Sequence, residues 1–266
     1  MAQYFSKQNR ALLNELVRTD FKLRYQGSVL GYAWSLLRPL LLFLILYVVF
    51  VRFLKIGSDI PHYPVYLLMG IILWNFFNEM TVQGLTAIVG RGDLIRKIRI
   101  PRWIIVLSSS VSALINVLLN LVVLGVIMVI NGVDLMRTIL LFPFILLEIY
   151  LFALGISLFL SAAFVKYRDV SYIWEVGLQA GFYFTPILYP LSLITNETLQ
   201  KIILLNPMAQ AVQDARYTVV TRGETTIWQI FNGGPYAYIP FVIVGLTLLV
   251  GLLYFKKQAD SFAENI

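Results

Sequence analysis

The chain has 266 residues, of which 59% are hydrophobic and 13% charged, with a formal net charge of +7. Soluble domains carry about 45–50% apolar and about 25% charged residues, so a water-soluble globular class is excluded and an all-α integral membrane protein is expected; the mean hydropathy of +0.79 agrees. The basic residues sit beside apolar runs rather than on a polar module, which argues against nucleic acid, and with no cysteine the chain forms no disulfide or thiolate metal site.

Residues 8–25 read as an amphipathic helix. Leu12, Leu13, Leu16, Val17 and Phe21 share one broad face, with Asn14, Glu15, Arg18 and Lys22 opposite, as expected of a helix lying in a membrane interface. Asp20 breaks the pattern on the apolar side. Arg24, one turn later, is a candidate partner, either as a solvated pair or as a pair docked against another protein. No cleavable leader is expected, since the first apolar run begins only near Leu36. The segment 1–30 is read as a cytoplasmic interface element.

A helix needs about 20 apolar residues to cross a bilayer. Six runs approach this: 36–54, 66–89, 104–130, 139–165, 170–188 and 238–255. The chain is therefore expected to be one domain, 1–266, with a six-span region 36–255 and a tail 256–266. With the N-terminus in the cytoplasm, fifteen Lys and Arg fall on that side and six on the other, which places both termini inside.

Between the second and third runs, residues 91–103 read RGDLIRKIRIPRW. Leu94, Ile95 and Ile98 form a small apolar stripe ringed by Arg96, Lys97 and Arg99, and Pro101 ends any helix there. The charges alone fit a basic inner loop. The stripe fits an amphipathic turn offered to the groove of a soluble partner; both readings stand at this point.

The fifth run is unusual. Helical geometry gathers Tyr172, Glu175, Gln179, Phe182, Tyr183 and Pro186 within about 100°, a stripe that should face protein or a watery path rather than lipid. Ile173, Gly177 and Gly181 lie opposite, and the G-x-x-x-G pair permits close helix packing. Tyr25, Ser28, Tyr32 and Ser35 line up similarly at the first run, provided that a helix runs unbroken through Gly27 and Gly31. Glu79 and Glu148 are expected to be satisfied interhelical partners, and the lone His62 makes a metal site improbable. The long outer segment 190–237 holds apolar stretches too short to cross, broken at Asn206-Pro207; they are expected to be surface or re-entrant helices.

The sequence contains no G-x-x-x-x-G-K-[ST] phosphate loop and no G-x-S-x-G or H-E-x-x-H motif. It offers a polar path and a docking turn but no catalytic site and no engine of its own. In TDFKLRYQGSVLGYAWSLLRP, LIRKIRIPRW, YRDVSYIWEVGLQAGFYFTPILYP and LNPMAQAVQDAR, taken in order, the chain resembles the membrane subunits of type-2 ABC exporters that move polysaccharides, such as O-antigen and teichoic acid permeases. That resemblance implies a homodimer of six-span subunits in the bacterial plasma membrane, served by two copies of a cytoplasmic ATP-binding subunit that holds the ATP and magnesium. It implies ATP-driven export of a lipid-linked glycan through a channel lined by Tyr25, Ser28, Tyr32, Ser35, Tyr172, Glu175, Gln179, Phe182 and Tyr183. It also implies that residues 91–100 couple to the ATPase, through Leu94, Ile95, Lys97 and Ile98, with Asp20 and Arg24 on the N-terminal helix as a second contact. A type-2 exporter of drugs or simple lipids is the alternative; a membrane glycosyl- or acyltransferase would show clustered Asp or His residues at a membrane face.

Overall fold

The computed structural model describes residues 7–24, 28, 30–31, 33–55, 60–97, 100–134, 136–259 and 262. These form helices α1 (Lys7–Arg24), α2 (Ala33–Tyr47), α3 (Tyr63–Ala87), α4 (Gly92–Lys97), α5 (Arg102–Ile130), α6 (Phe142–Lys166), α7 (Val170–Phe184), α8 (Glu197–Leu204), α9 (Pro207–Val219), α10 (Ile227–Ile230) and α11 (Ile239–Gln258). No strand occurs among the described residues. Among the described residues five stretches are long and apolar enough to cross a membrane: Ala33–Phe53, Tyr63–Ala87, Arg102–Ile130, Arg137–Lys166 and Pro235–Gln258.

The helix α3 is the centre of the bundle. Its membrane window is 78% buried, and Tyr66, Leu67, Leu68, Met69, Ile71, Leu73 and Met80 are inaccessible. It carries Pro64 in its first turn, where a missing N–H costs nothing. Helices α5 and α6 flank it, α9 wedges between α3, α6 and α11, and α11 lies along α6. Close approach rests on small residues. A Cβ on Gly84 of α3 would fall 2.4 Å from the Ser157 Cβ of α6, and Ser157 donates to the Met80 carbonyl at 3.0 Å. A Cβ on Gly251 would fall 2.1 Å from the Gly155 carbonyl oxygen, and one on Gly155 2.7 Å from the Leu248 backbone. The two helices therefore touch backbone to backbone, as membrane helices do where small residues meet.

The serine-rich start of α5 is internally satisfied. Ser108, Ser109, Ser110 and Ser112 each donate to a carbonyl three or four residues back, which suits a helix with no water beside it.

Two helices are held thinly. Helix α2 continues as a π-helical turn, Val48–Phe53, and neither part contains a buried residue. In α7 only Leu178 is buried. The fifth apolar run also stops short of its expected end at residue 188: Thr185 takes φ −83°, ψ 131°, because the residue before Pro186 is pushed out of the helical region. At about 1.5 Å per residue, α7 spans about 22 Å of a hydrocarbon core about 30 Å thick. Residues 185–188 continue as a buried, irregular strap.

Gly251→Ala is expected to lower the thermal midpoint of the detergent-purified protein by the equivalent of about 1–3 kcal/mol, the cost of overpacking. Gly125→Ala in α5, where an added Cβ meets nothing within 4 Å, is the control and should leave the midpoint unchanged or slightly raised.

Candidate functional site

At the basic end of the bundle α1 lies against α5. The predicted apolar face is the one turned inward, with Leu16 buried and Leu12, Leu13 and Val17 half-buried, while Asn14, Glu15, Arg18 and Lys22 are exposed. Asp20, out of place on that face, meets Arg91, which ion-pairs with it and donates to the Ile105 carbonyl at 3.2 Å and Ser108 Oγ at 2.8 Å. Asp20 thus has a partner 71 positions away that its own helix does not announce. The side chain of Arg24 lies outside the described residues, as does all of Ile98.

Helix α4 forms in the basic loop, but its apolar stripe is divided. Ile95 packs against a cluster built by Ile88, Ile105, Phe255 and the fully buried Phe262, so it serves this chain's own core. Leu94 is half-buried, and Arg96 and Lys97 are exposed. What α4 presents outward is mainly charge.

The continuous polar face expected at the first span does not form. Helix α1 ends at Arg24 and α2 begins at Ala33, and between them Gly31 has φ +50°, a conformation that ends a right-handed helix and that glycine adopts without strain. Ser28 is exposed, and its Oγ accepts from the Gly31 N–H at 3.2 Å. Ser35, beyond the break, is half-buried, and its carbonyl accepts from Asn120 at 3.3 Å. Tyr25, Gly27 and Tyr32 lie outside the described residues.

On α7, by contrast, the predicted stripe is present as far as Tyr183, while its last member, Pro186, lies beyond the helix and is buried. Tyr172 and Tyr183 are 70% and 69% exposed, Glu175 and Gln179 are exposed beside them, and Phe182 is half-buried. The opposite face carries Ile173 and Val176, which are also exposed. A third face holds the helix: Trp174 donates to Thr81 at 3.2 Å, Phe182 meets Trp74 edge-on at 5.9 Å, and a Cβ on Gly181 would lie 2.9 Å from the Trp74 ring. Of the glycine pair only Gly181 makes a close contact; the space at Gly177 is open except for Trp174 of its own helix, 4.0 Å away.

The strap after α7 depends on Arg216 of α9, which sequence reading counted only as an outer basic residue. Arg216 has no exposed surface. Its guanidinium donates to the carbonyls of Tyr66, Pro186 and Ile187 and to Gln213 Oε1, and stacks 3.5 Å from the centre of the Tyr66 ring. Gly70 makes room for it, since a Cβ there would fall 2.7 Å from a guanidinium nitrogen. Tyr63 adds a bond to the Leu188 carbonyl at 2.8 Å. Glu224, in the loop after α9, accepts from Gln213 at 3.2 Å; burial pushes its carboxyl up, and the Arg216 charge pulls it back. The available signal was the polar density of AQAVQDARYTVV, where amides, an acid and an arginine share one buried helix.

Of the two carboxylates expected to be satisfied, one is. Glu79 accepts from Gln83 at 2.7 Å and from Asn116 of α5. Glu148 receives only a 3.5 Å contact from Gln210, and its second oxygen has no partner. Among the described residues no three His, Asp or Glu side chains gather as a metal site.

The fold is thus a bundle of apolar helices with a charge-clamped basic end, a thinly held aromatic helix and a braced irregular strap. The chain belongs to the ABC-2 type transporter family, whose sequence model matches residues 11–220, and it is thereby a membrane-embedded transport component. It is 35% identical over 261 residues to the O-antigen export system permease protein RfbA of Myxococcus xanthus, covering 97% of this chain and 96% of that one. Two proteins of the same name from Klebsiella pneumoniae are 30% and 31% identical, each over 95% of this chain and 94% of its own length.

Removing Arg216 should be costly. Arg216→Met leaves the Pro186 and Ile187 carbonyls without a donor in a site closed to water, and a loss of about 3–5 kcal/mol is expected in chemical denaturation; Arg216→Lys, whose three N–H donors radiate from one atom and do not span three separated carbonyls, should recover less than half of it. For the other clamp, a double-mutant cycle of Asp20→Asn and Arg91→Gln read by thermal midpoint should give a coupling of about 1 kcal/mol.

Proposed function

We propose that this chain is the membrane-spanning subunit of an ATP-driven exporter of lipid-linked glycan of the O-antigen type. The observation that carries the reading is the likeness, over nearly the whole of both chains, to permease proteins named for O-antigen export. The exposed Tyr172, Glu175, Gln179 and Tyr183 stripe supports it, because sugar rings stack on aromatics while their hydroxyls seek carboxylate and amide partners. The mixture favours a glycan over the alternative of a drug or simple-lipid path.

In this reading two copies meet through the thinly held helices α2 and α7, whose unburied faces become the channel wall. Helix α7 and its strap form the sixth crossing, and α8 and α9 form a re-entrant pair closing the outer side. Both termini face the cytoplasm of a bacterial inner membrane, in line with the fifteen-to-six distribution of basic residues. The chain carries no phosphate loop, so hydrolysis of magnesium-bound ATP belongs to a separate subunit, present in two copies. Its stroke reaches this chain through α4, by way of Leu94 and Lys97, and through the Asp20–Arg91 clamp. Because α1 is tied to α5 by that clamp, a push on either α1 or α4 moves both.

The test is reconstitution with the ATP-binding subunit in vesicles loaded with fluorescent lipid-linked glycan. ATP-dependent appearance of glycan on the far face is expected, and Tyr172→Ala plus Tyr183→Ala should slow it about three- to tenfold while leaving ATP-bound assembly intact. Transport of a simple labelled lipid at the same rate, with glycan unmoved, would overturn the reading. The absence of cysteine makes the dimer directly testable: Val176→Cys should cross-link two copies in the membrane, and Val129→Cys, exposed at the far end of α5, should not.

A further inference from the structure

Away from the strap, the other side of α9 builds a second site. Glu148 of α6 and Gln210 and Asp214 of α9 converge there, with exposures of 9%, 0% and 8%. The Gln210 amide nitrogen bridges the two acids, donating to Asp214 Oδ2 at 2.7 Å and reaching Glu148 Oε2 at 3.5 Å. One oxygen on each of the three side chains has no partner: Glu148 Oε1, Gln210 Oε1 and Asp214 Oδ1. All three are acceptors. A proton shared between the carboxyls supplies one donor and leaves two acceptors unmet, and a buried polar group without a partner costs about 1–3 kcal/mol.

These groups line a cavity of about 630 Å³ between α6, α9 and α11 whose lining contains no Lys, Arg or His. The Arg216 side chain points the other way, onto Tyr66, and Tyr217 is the one further titratable group on the wall. The rest is largely apolar and aromatic. Phe144, Trp228 and Phe241 line it while remaining 69%, 38% and 38% exposed on the flank of the bundle, so the cavity opens where hydrocarbon lies. Volume and lining fall in the range of small-molecule sites.

We propose that this cavity holds the primary ammonium head of a bilayer lipid, with its acyl chains leaving between α6 and α11. A primary ammonium brings N–H donors and one positive charge to a carboxyl pair that lines the cavity with no cation beside it. The aromatic rings at the mouth favour the same cation. A metal ion would have only two carboxylates and an amide in an otherwise apolar chamber, a poor match for a hard cation that wants six or more oxygens. Lipid bound here bridges α9 to α6 and α11, and so braces the helix that carries Arg216. The proposal is independent of which substrate the exporter moves.

The full-length protein, extracted from vesicles containing equal parts phosphatidylethanolamine, phosphatidylcholine and phosphatidylglycerol, is examined by native mass spectrometry. Retention of phosphatidylethanolamine about tenfold above each of the others is expected. Phosphatidylcholine is the decisive comparison, because it keeps the positive charge but has no N–H to donate. Glu148→Gln with Asp214→Asn should bring the three lipids to parity. Gly245→Leu, which builds into open space on the α11 wall and leaves both acids in place, should do the same, and it decides the matter if the acid variants fail to fold. Equal retention of phosphatidylcholine and phosphatidylethanolamine by the unsubstituted protein would mean that water or protons satisfy the acids and would overturn the proposal. So would an undiminished preference in folded Gly245→Leu.

Discussion

The interaction on which the rest of the structure depends is the set of hydrogen bonds from Arg216 to backbone carbonyls. A bilayer interior tolerates non-helical backbone only where protein satisfies its polar groups. Pro186 ends α7 early, and the strap that follows is buried, so its carbonyls need donors from the protein itself. Arg216 supplies the donors from a neighbouring helix and binds the first turn of α3 in the same gesture. Its own charge is accommodated by those carbonyls, by Gln213 and by the face of Tyr66. One side chain thus lets a helix break, holds the broken end, and fixes α9 in the bundle.

A parallel arrangement serves the other end. There Arg91 reaches from the loop after α3 to Asp20 on α1 and to the start of α5, joining an amphipathic helix to the spanning bundle. Between these two arginines lies a stiff block of α3, α5, α6, α9 and α11, packed through Gly84, Gly155 and Gly251. Helices α2 and α7 hang on its edge by a few aromatic and polar contacts.

Local pattern made much of this legible. The amphipathic face of α1, five of the six expected apolar crossings and the stripe on α7 short of Pro186 follow from periodicity and apolar length, which a single segment determines for itself. Asp20 was visible as an anomaly, but its partner was not, because Arg91 is brought near by the path of two intervening helices. The break at Gly31 was the condition on which the first polar face hung; glycine permits a helix or a left-handed turn, and only the surroundings decide. Ile98 and Arg24 carry expectations that fall outside the described residues. Arg216 was hidden by a sound rule. Basic residues on the outer side are usually surface anchors, and nothing within its own helix announces that three carbonyls from elsewhere will surround it.

The central position of α3 also constrains how the protein is built. This helix is made early, yet the groups that satisfy it arrive in order from later in the chain: Asn116 for Glu79, then Ser157 for the Met80 carbonyl, then Trp174 for Thr81, and last Arg216 against the Tyr66 backbone and ring. Until α9 has left the ribosome the middle of the bundle is unfinished. A chain truncated before residue 216 would therefore enter the membrane with the most buried of its long apolar helices unguarded, and quality control would meet it there as an incomplete protein rather than as a smaller one.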